Sequence, residues 1–280
     1  MCMLFLKPPT VLPGFKFSLA VSAFWLSILV LLPFVMLVLS VGNMGVGEFF
    51  RTITEAQVLA ALWLSLKVSF WAAATNLVFG TLIAWVIVRY DFPGKSLINA
   101  VVDLHFALPT AVTGITLATL YAPNGWIGQL FTPMGIKIAF TPLGIFIALI
   151  VVSLPFVVRT VQPVLEELQP ELEEAATTMG ASRFTIVRRV VLPELIPALI
   201  TSFGMMFARA TGEYGSVVFI AGNIPMVSQI LPLVITSKLD LFDVQGASAV
   251  ALFMLLISFI ILSILNFAQW AVSRRMGAKI

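Results

Sequence analysis

Histidine and cysteine are almost missing from this chain, at one each in 280 residues. A lone Cys2 closes no intrachain disulfide, and with His105 as its only histidine the chain has too few soft ligands for a metal cluster. The same scarcity argues against a nucleophile-and-base arrangement, so no catalytic residue and no metal ligand is expected. Also missing is the phosphate loop G-x-x-x-x-G-K-[ST]. The nearest stretch, RYDFPGKS, has Arg89 where the first glycine would stand, so the chain is expected to hold neither ATP nor any other cofactor. Charge is scarce as well: only 10% of residues are charged against 60% hydrophobic, with a mean hydropathy of +1.07. Such a composition does not hide in one core under a polar shell, and it implies a lipid solvent.

What the chain has in abundance is long apolar runs. A hydrocarbon core roughly 30 Å thick is crossed by about 20 apolar residues in a helix. Six runs qualify: Phe17 to Val41, Ala60 to Val88, Ile98 to Tyr121, Phe140 to Val158, Leu195 to Ala221 and Ser248 to Ala271. None shows the period-two alternation of barrel strands, and backbone groups in lipid need partners within the segment, so all six are read as helices. Pro33, Pro109 and Pro155 lie inside runs and predict kinks there. The first run is longer than a signal h-region and reads as an uncleaved anchor.

Lys and Arg fall unevenly between the runs. Lys7, Lys16, Arg89, Lys95, Arg159, Arg183, Arg188, Arg189, Arg274, Arg275 and Lys279 share one side, and Arg51, Lys137 and Lys238 the other. By the positive-inside rule the first group is cytoplasmic, and so are both termini. The pI near 9.2 then reflects topology and calls for no nucleic acid.

On this topology residues 159–194 form the longest inside connection. Leu172, Ala175, Ala176 and Met179 recur at helical spacing and predict a short helix with one small apolar face. Gly180 stands where a C-cap glycine belongs, and Ser182 is placed to cap the next segment. Spacing alone leaves two readings, a solvated linker or a docking helix whose alanines let another protein come close.

The pattern Glu174-Ala175-Ala176, three residues, Gly180, nine residues, Val190, one residue, Leu192-Pro193 resembles the EAA loop of permease subunits in ATP-binding-cassette importers, with Val190 where isoleucine is common. The resemblance implies a type I importer permease (MetI-like) fold of six spans in one membrane domain, with Glu174 to Gly180 seated in a cleft of a cytoplasmic ATPase that binds the ATP and Mg. The runs LHFALPTAVTGITLATLY, PFVVRTVQPVLEEL, GEYGSVVFIAGNIP and SQILPLVITSKLDLFDVQGASAVA resemble the T-type permeases of sulfate/thiosulfate importers, departing at His105, where proline is expected. This second resemblance implies half of a translocation pore in a bacterial inner membrane. Its expected companions are ATP-binding subunits, a different second permease and a periplasmic sulfate-binding protein. The GE-aromatic-G…AGNIP element is shared with molybdate permeases.

Ionisable residues within runs mark structure or pathway. Arg209 and Glu213, four apart in the fifth run, share a helix face and are read either as an ion pair locking that span to a neighbour or as groups meeting the anion in transit. Asp103 and His105 are read as an interfacial or packed pair. Thr110 and Thr113, with Gly114, and Thr211 and Ser216, with Gly212, Gly215 and Gly222, line a small-residue seam or an anion path. Hydroxyls suit an ion that stays fully charged, because they donate hydrogen bonds without altering its charge. An ion-coupled secondary transporter is the alternative from another class, but only Glu213 is acidic well inside a run and no internal repeat is seen.

Overall fold

The computed structural model describes residues 14–275, and within them the chain is helical with no strand. Cys2, Lys7 and Lys279 lie outside the described residues. Five helices are long and apolar enough to span a membrane: Phe17–Gly42, Ala56–Arg89, Pro142–Glu167, Arg183–Thr211 and Val244–Ala271. A bent pair, Lys95–Ala107 and Thr110–Tyr121, brings the count to six if it is one span.

That pair carries the kink expected at Pro109 as a full break, its two helices bent by 110°. Pro109 supplies the break. It has no N–H to donate, and it holds the preceding Leu108 extended at φ −73°, ψ 130°. Pro33 and Pro193 act more gently. Each follows a π-helical turn, Ser27–Leu31 and Val187–Val191, in which the next N–H reaches back five residues, from Leu32 to the Ser27 carbonyl and from Leu192 to that of Val187. Widening the ladder by one residue relieves the carbonyl that the proline ring would strike. At Pro155 and Pro163 the fourth helix is uninterrupted.

The second, fourth and fifth spans form the core. Small residues let their axes approach: Ala72, Ala73 and Ala84 are wholly buried, and a Cβ on Gly80 would lie 1.9 Å from Val157 Cγ1. Asn76, also buried, donates to the Ile150 carbonyl (2.8 Å) and Ser153 Oγ (2.9 Å), joining the second span to the fourth. No residue of the first span is buried, and it is joined to the last by a Ser40–Ser248 hydroxyl contact of 3.1 Å. Leu231–Asp240, expected as outer loop, is a helix whose Leu231 and Val234 pack with Val58, Ala61 and Val250, while its Leu233 joins Val68, Ala72 and Ile145.

The first half of the broken span is pinned by one side chain. Arg159 donates from Nε to Asp103 Oδ1 (2.8 Å), from Nη2 to the Asn99 carbonyl (3.2 Å) and from Nη1 to Gln162 Oε1 (2.7 Å). Asp103 therefore pairs with Arg159, while His105, two positions on and on a different face, contacts the Val101 carbonyl of its own helix. Arg159→Met, which keeps the stem and loses the fork, is expected to cost about 1–3 kcal/mol. Amide exchange in detergent should then quicken in Lys95–Ala107 and remain unchanged in Ala56–Arg89.

Candidate functional site

Two places gather the residues that the sequence singles out. The first is at the end of the bundle where the second span finishes and the fifth begins. Residues 159–194 are almost wholly helical there, which corrects the loop: the fourth span runs to Glu167, a short helix covers Pro170–Thr178, and the fifth span already starts at Arg183. Pro170 opens the short helix, with Glu171 and Glu173 in the first turn where the helix dipole favours them. Its end is a Schellman turn. The Ala181 N–H reaches the Ala176 carbonyl (3.0 Å), the Gly180 N–H that of Thr177 (2.9 Å), and Gly180 takes φ +81°. Ser182 Oγ then accepts from the Thr185 N–H at 3.3 Å, capping the next segment as expected.

The expected single apolar face of the short helix is split. Ala176 is buried with Ile87, Leu165, Leu168 and Ile186, whereas Glu174, Ala175 and Gly180 are exposed, and Leu172, Met179 (82%) and Phe184 (73%) are exposed as well. Leu192 and Pro193 sit at the first turn of the α-helical part of the fifth span; Leu192 borders a cleft of about 690 Å³ shared with Trp85, Arg89, Glu173 and Arg183. Inside this cleft Arg89 pairs with Glu173, with side chains only 20% and 26% exposed. Their pairing leaves no trace in the sequence, since a separation of 84 positions carries no periodic signal.

The second place is where the fifth span ends. The helix stops at Thr211, so Glu213 lies in the turn beyond it and not on the helix with Arg209, which corrects the shared face. Glu213 is 1% exposed, and its Oε1 accepts from the Ser216 N–H (2.9 Å) and Oγ (3.0 Å) while Oε2 pairs with Arg209 Nη1. A carboxylate so engaged organises the turn, and the Arg209 side chain remains 35% exposed. The second half of the broken span packs directly on this turn. Thr110 Oγ1 sits where a Cβ on Gly215 would fall, 2.1 Å away, and a Cβ on Gly114 would come within 2.3 Å of the Ser216 carbonyl. Thr110 is thus brought to the Glu213 turn, and Thr113 follows on the same helix, half-buried.

A methyl group at position 114 has only backbone to push against. Gly114→Ala is expected to lower stability by about 1–3 kcal/mol, read as an earlier melting transition in detergent. Gly47→Ala, with open space around its Cβ, should leave that transition in place.

Residues 76–278 match the family described as "Binding-protein-dependent transport system inner membrane component". Among curated proteins, the sulfate transport system permease protein CysT of Salmonella typhimurium is 46% identical over 274 residues, covering 98% of this chain and 99% of that one. The protein of the same name from Escherichia coli is 46% identical over 266 residues, covering 95% and 96%. Among solved structures, a bacterial ABC transporter for import of the acidic polysaccharide alginate superposes with a TM-score of 0.78 at 15% identity, over 92% of this chain and 95% of that one. The inward-facing MetNI methionine ABC transporter does so at 0.58 and 20%, over 77% and 96%. At those identities the likeness carries the fold alone, and the fold is that of the ABC importer permeases. With its five or six candidate spans and a family match over nearly three quarters of its length, the chain belongs to the inner-membrane components of binding-protein-dependent transport systems.

Proposed function

We propose that this chain is a permease subunit of an ATP-driven importer for sulfate or thiosulfate and forms half of its translocation pore. The observation that carries the reading is near-full-length similarity, at 46% identity, to permeases named for sulfate transport. It is supported by a helix, Pro170–Thr178, presented with exposed apolar side chains at the arginine-rich end of the bundle. A multi-pass protein of this charge pattern is oriented with that end, and both termini, in the cytoplasm of a bacterial cell.

In this reading the exposed Glu174, Ala175 and Gly180 face a cytoplasmic ATP-binding subunit, which supplies the ATP and Mg that this chain has no loop to hold. Ala176 anchors the helix from behind, and Leu192-Pro193 carry its movement into the fifth span. A second, different permease completes the pore, and a periplasmic binding protein delivers the anion. Arg209, held by Glu213, with Thr110 and Thr113, offers the anion charge and hydroxyl donors in transit. Because Glu213 already neutralises the guanidinium, binding there is weak enough for release. The chain itself performs no covalent chemistry.

Radiolabelled sulfate uptake into proteoliposomes holding the chain with its ATPase, second permease and binding protein tests this. Uptake that requires ATP, and that Gly180→Asp abolishes while the complex still assembles, is the expected result. Uptake driven by an ion gradient without ATP would mean a secondary transporter, and ATP-dependent uptake of molybdate without sulfate would overturn the substrate alone.

A further inference from the structure

The short helix Pro170–Thr178 touches the body of the protein through one narrow face. Ala176 is its one buried residue among the described side chains, and Glu173, three positions earlier and on the same face, reaches Arg89. These two attachments differ in kind. Apolar contact at Ala176 is non-directional and tolerates sliding, whereas the Arg89–Glu173 pair is charge-assisted, directional and three-quarters withdrawn from water. The guanidinium lies 5.7 Å from the Trp85 ring centroid, and its Nε is buried without a hydrogen-bond partner.

Arg89 is the last residue of the second span, a 34-residue helix with no proline, which at 1.5 Å per residue is about 51 Å long. Its other end is fastened to the opposite side of the bundle. Ser65 Oγ accepts from the Leu231 N–H (2.9 Å), Gln57 Nε2 donates to Gln229 Oε1 (2.6 Å), and Glu55, just before the helix, pairs with Lys238 (3.1 Å). A stiff helix is thus bonded at one end to the short helix and at the other to the segment after Ser228.

We propose that the Arg89–Glu173 ion pair is the joint through which movement of the short helix is delivered to the second span, which carries it as a rod to the Gln229–Leu231 segment. Arg89 and Glu173 are positioning residues in this scheme, since neither touches nucleotide or anion. The inference rests on the importer reading above and adds to it the element that receives the stroke.

The test uses the whole reconstituted complex and measures sulfate imported per ATP hydrolysed, with melting temperature recorded for each variant. Arg89→Glu and Glu173→Arg are each expected to lower that ratio roughly 10-fold, with ATP hydrolysis continuing, and the double exchange to restore it. Glu173→Gln, which keeps shape and removes charge, is expected to lower the ratio without changing the melting temperature. Uptake and hydrolysis falling in parallel, with no recovery in the double exchange, would overturn the joint. So would single variants that retain the wild-type ratio. A wild-type complex that hydrolyses ATP and imports no sulfate would overturn the importer reading itself, a result separable from both.

Discussion

Every backbone N–H and C=O within the hydrocarbon needs a partner supplied by the protein, and the rest of this structure follows from where that demand is met and where it is relaxed. Continuous helices meet it without help. The ladder is altered at a few places, each with a compensating device: a π turn before Pro33 and Pro193, the sharp bend at Leu108-Pro109, and the turn after Thr211. In that last turn the Glu213 carboxylate takes up the Ser216 N–H that the interrupted helix leaves over. An acid is costly in such a place, and it is tolerated because Arg209 neutralises it and Ser216 occupies its other oxygen.

The bend at Leu108-Pro109 and the turn after Thr211 are packed on each other. A bend in the third span frees Thr110 to lead a new helix, and the glycines at 114 and 215 let that helix lie on the Glu213 turn at backbone contact. Neither segment would keep its shape alone. The sharp bend has few local bonds to hold it, and the half before it depends on Arg159, which reaches across from the fourth span to Asp103 and Asn99 and is steadied by Gln162 of its own helix. A region assembled from short interlocked pieces resists rearrangement less than a continuous helix does, which on the proposed importer reading suits a pathway that opens and closes.

How much of this was legible depended on whether the signal was local. Lipid-spanning length, the break at Pro109, the cap at Ser182 and the left-handed Gly180 are each written within a few residues, and the structure has them all. Boundaries were less legible. The fifth run reads straight through Gly212 because hydropathy averages over a turn, and its start is hidden because Arg188 and Arg189 make a helical stretch look like linker. Leu231–Asp240 looked like loop because it is too short to span, although a buried helix needs no such length. The long-range pairs, Arg89 with Glu173 and Arg159 with Asp103, were illegible in principle: a single sequence records neither member's address.

The Glu174-Ala175-Ala176 pattern has a physical reading that only the structure separates. Its alanines are alike in sequence and opposite in duty, Ala176 pressed into the core and Ala175 open to solvent. Small size serves both. Inward, a larger side chain would lift the short helix away from Ile87 and Leu168 and stretch the Arg89–Glu173 pair. Outward, on the importer reading proposed above, a larger one would keep a partner's backbone at a distance from the helix. A helix gripped tightly by its own protein would not move with a partner, and one held by nothing would move without consequence. One buried methyl group and one directional ion pair place this helix between those limits.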